Sequence, residues 1–233
     1  MPFRRKQPAF GPGQFITGIF MQIYGRRSSI NVQKVLWCLA ELGFDEGRDF
    51  ERIEAGLQYG VVDTPEFLAL NPNGQVPTLV DGELVLWESN TIVRYLAASR
   101  GNDALLPPAP AARADVERWM DWQLGTLWPI LRVAFLGLTR TPEAERNYAA
   151  IKTSHREGAR LLRIADGVLG KQPYLAGAGF TAADICVALA ATRWFDLAGT
   201  FSDLLGAYPE MPALSAWLTR AMDRAAYRKA VTA

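Results

Sequence analysis

The chain has 233 residues, 49% of them hydrophobic and 21% charged, with a net charge of +1. This is ordinary globular composition, long enough for one large domain or two small ones, and it excludes a disordered or collagen-like chain. No run of about 18 apolar residues is available to span a membrane, and the near-neutral balance argues against a polyanion partner.

Residues 1–20 begin with basic Arg4-Arg5-Lys6, but Pro8, Gly11, Pro12 and Gly13 break any apolar signal-peptide core, so this stretch reads as a loose N-terminal extension. Phe20–Tyr24 is a short strand. After the polar turn Arg26-Arg27-Ser28-Ser29, residues Val32, Val35, Leu36, Leu39 and Leu42 recur at helical spacing and stop at Gly43. Asp49–Ile53 is a weaker strand. Thr64-Pro65 opens a short helix, with Thr64 as the cap. Val76–Val80 and Leu84–Leu86 flank Asp81-Gly82, a hairpin signal, and Glu88–Ser99 is again helical. Residues 21–100 therefore read β-α-β-α-β-β-α, an α/β domain. A Pro-rich linker at 101–112 follows, and residues 113–233 read as an all-helical domain. Within it, Ala111–Leu138 is one helical pattern, Thr141-Pro142 starts a helix running to about Gly170, and Thr181 and Asp184 form a capping box.

The chemistry-bearing residue types exclude several activities. His155 is the only histidine, there is no GxSxG elbow, and no P-loop is present. His155 lies in a polar helical stretch and reads as an exposed helix residue. Two separated cysteines, Cys38 and Cys186, make neither a disulfide scaffold nor a zinc cluster, which points to a reducing, cytoplasmic home without a metal. Cys38 reads as a packing residue.

Three segments stand out. In Asn71-Pro72-Asn73-Gly74-Gln75-Val76-Pro77 the proline stands just inside a strand, where it cannot donate to a ladder. A cis bond there would leave the Val76 N–H and C=O free to pair with a peptide backbone, and the alternative is an ordinary turn before an edge strand. Glu88-Ser89 opens a helix whose free N–H groups suit a carboxylate, with Glu88 placed to accept from an ammonium; alternatively the pair caps its own helix. Ser28-Ser29-Ile30-Asn31 lies after the first strand, where α/β domains place ligands, or is again a helix cap.

Together with Phe180-Thr181-Ala182-Ala183-Asp184-Ile185, these segments resemble the cytosolic glutathione S-transferase family, of the bacterial theta-like or nu-like kind, over residues 21–222. The resemblance implies a thioredoxin-like N-terminal domain followed by an all-α domain, a cytoplasmic homodimer, and a role in detoxification. It implies that glutathione is the co-substrate and that its thiol is activated as a thiolate for attack on hydrophobic electrophiles. It assigns the sulfur contact to Ser29, with Asn31 assisting or replacing it, and the glutathione backbone to Gln75, Val76, Pro77, Glu88 and Ser89. Gln75, with the loop that carries Gln58 and Tyr59, would reach the glycyl end. Trp119 and Trp122, with Trp128 and Trp194, are candidates for the electrophile wall, or for core or dimer packing. Asn31 and Gln33 break the Ser-Ser-x-Ser-x-Arg pattern of the maleylacetoacetate isomerase branch. The alternatives are a glutathione-dependent disulfide reductase or peroxidase, and a non-catalytic glutathione- or protein-binding module.

Overall fold

The computed structural model describes residues 21–232, so the extension expected at 1–20 lies outside the described residues. Four strands, β1 (Met21–Tyr24), β2 (Glu51–Ile53), β3 (Thr78–Asp81) and β4 (Leu84–Trp87), form one sheet in the order β2-β1-β3-β4. β1 and β2 are parallel, joined by helix α1 (Ile30–Glu41), while β3 pairs antiparallel with both β1 and β4. Helices α2 (Pro65–Leu70) and α3 (Ser89–Ser99) complete the thioredoxin-like domain. Gly43, at φ 82°, ends the α1 segment as its sequence requires. The third strand begins at Thr78 rather than Val76, because Pro77 offers no N–H to the ladder.

Register decides what the sheet presents at its end. Tyr24 stands opposite Thr78, and Thr78 opposite Trp87. The residues just after β1, just before β3 and just after β4 therefore emerge side by side. These are the three segments that the sequence singles out.

The second domain is helical. Its long helices are α4 (Pro110–Trp122), α5 (Trp128–Thr139), α6 (Tyr148–Leu169), α7 (Ala182–Thr200) and α9 (Pro212–Met222), with short helices α8 (Ser202–Leu205) and α10 (Ala225–Tyr227). The single pattern at Ala111–Leu138 is two helices joined by a π-turn at Gln123–Leu127. No described helix is long and apolar enough to cross a membrane.

α7 is the spine of this domain, with Ile185, Cys186, Val187, Ala188 and Ala190 fully buried. Its start is organised by Asp184, itself fully buried. The carboxylate accepts from the Thr181 N–H at 2.8 Å, the Thr181 hydroxyl at 3.0 Å, the Leu175 N–H at 3.1 Å and the Trp217 indole at 2.9 Å. Burial, only partly offset by these donors, holds the carboxyl above its ordinary range. The expected exposure of His155 is not what the fold produces: it is 3% exposed and stacks on Trp194 at 4.5 Å. Gly158 is the reason. A Cβ there would come within 2.4 Å of Leu131 and 3.0 Å of Trp194, so only glycine lets this face of α6 close on its neighbours.

Asp184→Ala leaves three or four buried donors without a partner, each costing about 1–3 kcal/mol. The expected result is a loss of at least about 3 kcal/mol, seen as a clear fall in thermal midpoint by calorimetry or circular dichroism.

Candidate functional site

The three sheet-end segments line two adjoining cavities that share Asn31, Gln75 and Val76. One, of about 150 Å³, is polar and is bounded by Asn73, Pro77, Trp87, Glu88 and Ser89. The other, of about 140 Å³, runs from Ser28 and Ser29 to α5 of the helical domain. Seven of the residues singled out from the sequence thus converge: Ser29, Asn31, Gln75, Val76, Pro77, Glu88 and Ser89.

Each segment is positioned by its own local chemistry. Asn71, 1% exposed, ties the loop before β3 together. Its amide donates to the Gln75 carbonyl at 2.8 Å and to the Thr78 hydroxyl at 3.0 Å, while its Oδ1 accepts from the Asn73 N–H at 3.0 Å. The Val76–Pro77 bond is cis. Neither the N–H nor the C=O of Val76 is bonded to another described residue, so both remain available at the cavity edge.

Ser29 is the cap residue of α1 in position, and its carbonyl accepts from the Gln33 N–H at 2.9 Å. Its hydroxyl makes no capping bond, which leaves it free toward the cleft. Glu88 holds φ 71°, a region L-residues rarely occupy, directly before the first turn of α3. Such conformations cost about 1–3 kcal/mol and concentrate at binding sites.

The sequence pattern by itself assigns no role to Lys34 of α1. Lys34 is fully buried beneath the cleft. Its Nζ donates to Gln123 Oε1 at 2.8 Å and Asn90 Oδ1 at 3.0 Å, and lies 3.5 Å from Ser89 Oγ. Asn90 in turn donates to the Met120 carbonyl at 2.8 Å. The network joins α1, the mouth of α3 and the α4–α5 junction. Burial pushes the Lys34 amine below its ordinary range. The adjacent Cys186 thiol is pushed up to about 11 by the same desolvation, and Cys38 is raised as well, so both behave as inert packing residues. A lysine at a buried helical position, three residues after Asn31, was the available signal.

Five candidates lie elsewhere, among them Trp194, which is buried against His155 in the helical domain. Gln58 and Tyr59 sit in an exposed 3-10 turn (Leu57–Tyr59) and line neither cavity. Trp119 and Trp122 pack edge to face at 5.2 Å on α4, Trp119 with 6% exposure, and do not reach the cleft. Helical periodicity identifies an apolar face without saying which neighbour covers it. Trp128 does line the second cavity, with Phe135, Leu136, Arg26, Arg132 and Arg140. Trp128, Arg132, Phe135, Leu136 and Arg140 follow helical spacing, a face legible in principle but not singled out from sequence. Among the described residues no cluster of His, Cys, Asp or Glu is placed to hold a metal ion.

A thioredoxin-like domain with a polar sheet-end cleft, closed by an all-helical domain, defines the architecture of the glutathione transferases. Comparison with known proteins agrees. The family description "Glutathione S-transferase, N-terminal domain" matches residues 20–98, and "Glutathione S-transferase, C-terminal domain" matches residues 126–225. Glutathione S-transferase GstB of Escherichia coli is 41% identical over 211 residues, covering 90% of this chain and 96% of that protein. Glutathione S-transferase 3 of Zea mays is 36% identical over 218 residues, covering 91% and 94%. The theta class glutathione S-transferase from Xanthomonas axonopodis pv. citri, solved with glutathione bound, superposes with a TM-score of 0.82 at 46% identity, covering 92% of this chain and 98% of that one. The chain belongs to the glutathione S-transferase family of enzymes.

The Lys34 network has a measurable consequence. Lys34→Met keeps the volume but leaves the acceptors on Asn90 and Gln123 short of a donor, an expected loss of about 2 kcal/mol in urea unfolding. The folded chain releases the Lys34 proton at lower pH than the unfolded chain, whose ordinary value is 10.5. Native stability from this group therefore rises as pH climbs toward that value, and the gap between native and Lys34→Met chains is expected to widen in the same direction.

Proposed function

We propose that the cleft binds glutathione and lowers the pKa of its thiol, so that the thiolate attacks an electrophile with an apolar body. The observation that carries this reading is the convergence at one sheet end of three complementary features. These are an unpaired Val76 main chain, the N-terminus of α3 behind Ser89, and a Ser29 hydroxyl free of capping duty. The bound glutathione in the Xanthomonas relative supports it.

Val76 pairs with the cysteinyl unit as an added strand would, beside Pro77. Ser89 and the first N–H groups of α3 hold the γ-glutamyl carboxylate, and Glu88 accepts from its ammonium. Gln75 faces the glycyl end, with Gln58 and Tyr59 at the outer rim. Ser29 donates its O–H to the sulfur, and Asn31 supports the same atom. The arithmetic is sufficient. Lowering a thiol pKa from about 8.5 by about two units requires roughly 2.7 kcal/mol. A hydrogen bond to a charged sulfur supplies about 1.5–3 kcal/mol, and the dipole of α1 about 0.3–1 kcal/mol. No general base is needed, in keeping with His155 buried in the helical domain. The setting in this reading is a cytoplasmic homodimer that detoxifies reactive compounds. Exposed Ile130 and Val133 on α5, and Leu57 and Tyr59 on the first domain, offer apolar surface for the second copy.

Ser89→Ala is expected to weaken glutathione binding about tenfold or more by calorimetry, since a hydrogen bond to a charged group is worth about 1.5–3 kcal/mol; unchanged affinity removes this role. Ser29→Ala is expected to raise the pKa of bound glutathione by about one to two units, read from thiolate absorbance against pH. An effect confined to Asn31→Ala transfers the sulfur contact to Asn31.

A further inference from the structure

The second cavity carries an electrostatic signature that an apolar electrophile does not need. Three arginines from both domains line it, Arg26 from the loop after β1 and Arg132 and Arg140 from α5 and its end, and no carboxylate does. None of the three guanidinium groups is ion-paired or hydrogen-bonded to another described residue. The other arginines of the first domain, Arg27, Arg48, Arg52, Arg94 and Arg100, all sit against carboxylates. Arg26 is only 9% exposed, and its Nε is buried without any partner. A buried donor in that state is costly unless something completes it. Arg140 is held over the Phe135 ring at 5.9 Å, and Phe135 packs on Trp128 at 5.7 Å. Cationic heads thus stand beside an aromatic wall, with Ser29 across the cavity.

We propose that the electrophile taken by this enzyme is a compact aromatic molecule bearing a carboxylate, its ring against Trp128 and Phe135 and its anion held by Arg132 and Arg140, with Arg26 completing the positive end. The inference rests on the transferase reading above and names the substrate class of the same site. Guanidinium forks match a carboxylate bidentately, and a cavity of about 140 Å³ suits a single substituted ring. The charges already interact: burial first, and then the positive charge of Arg140, lowers the affinity of Arg26 for its proton. An incoming anion relieves that repulsion. In the reaction the glutathione sulfur forms a bond to the ring carbon that bears a halide, the halide leaves with its bonding pair, and the thiol proton has already passed to solvent.

The test compares a chloronitrobenzoate, with chlorine ortho to the nitro group and the carboxylate para to it, with its uncharged carboxamide. Each rate at saturating glutathione is divided by its rate without enzyme. The native chain is expected to favour the carboxylate about tenfold, equal to about 1.4 kcal/mol at 25 °C. Arg132→Gln and Arg140→Gln are each expected to erase most of that preference, with carboxamide turnover and the KM for glutathione changed less than about twofold, and added salt should erode it similarly. Calorimetry with the two glutathione conjugates reads the same preference without turnover. Equal losses for both acceptors overturn the proposal. So does a loss confined to the KM for glutathione, which would assign the arginines to the glycyl carboxylate. Turnover of the carboxamide alone overturns the anion preference and leaves the transferase reading intact. If glutathione itself fails to bind, both fall.

Discussion

Lys34 places an amine where no water reaches it, and two elements answer it with three oxygen atoms. Gln123 reaches in from the junction of α4 and α5, Asn90 from the first turn of α3, and Ser89 stands just beyond. A buried donor of this kind tolerates little displacement, because any acceptor that withdraws leaves an uncompensated polar group in a dry interior. The network therefore sets the distance between α1, whose start carries Ser29 and Asn31, and α3, whose start carries Glu88 and Ser89. It also fastens the helical domain beneath both. The cleft has its shape because the floor is fixed at this point.

Above that floor several positive ends gather around the single carboxylate of the two cavities, Glu88. Two helix N-termini, those of α1 and α3, open on the cleft, and each presents free N–H groups and the positive end of a dipole. Three arginines line the far cavity. An acidic tripeptide suits the two helix mouths, and the arginines add a separate positive region on the side of the helical domain. The electrostatics arise from the way the backbone ends its helices, with side chains adding to what the peptide groups already supply.

The helical domain serves as the rigid counterpart. Asp184 draws four donors to one buried carboxylate, and Gly158 lets α6 settle against Leu131 and Trp194. α5 is thereby held with Trp128, Arg132 and Phe135 turned toward the first domain. The π-turn at Gln123–Leu127 divides the long helical pattern and brings Gln123 inward to Lys34.

The order of strands and helices, the two-domain division and the capping at Thr181 were legible in the chain because they depend on local signals, whereas the grouping of Ser29, Val76 and Ser89 came with the family resemblance and not with any local pattern. The local signals are period, proline position, turn residues and helix caps, read within a few residues. Which tryptophan faces the cleft, how deep His155 lies, and which arginines go unpaired were decided by packing. Each of those outcomes depends on what another element, distant in sequence, sets against the residue. Trp119 on α4 is buried at 6% exposure, while Trp128 on α5 lines the cavity that faces the first domain. Arg26 and Arg27 are consecutive, but only Arg27 meets a carboxylate, Glu46, carried to it by the fold.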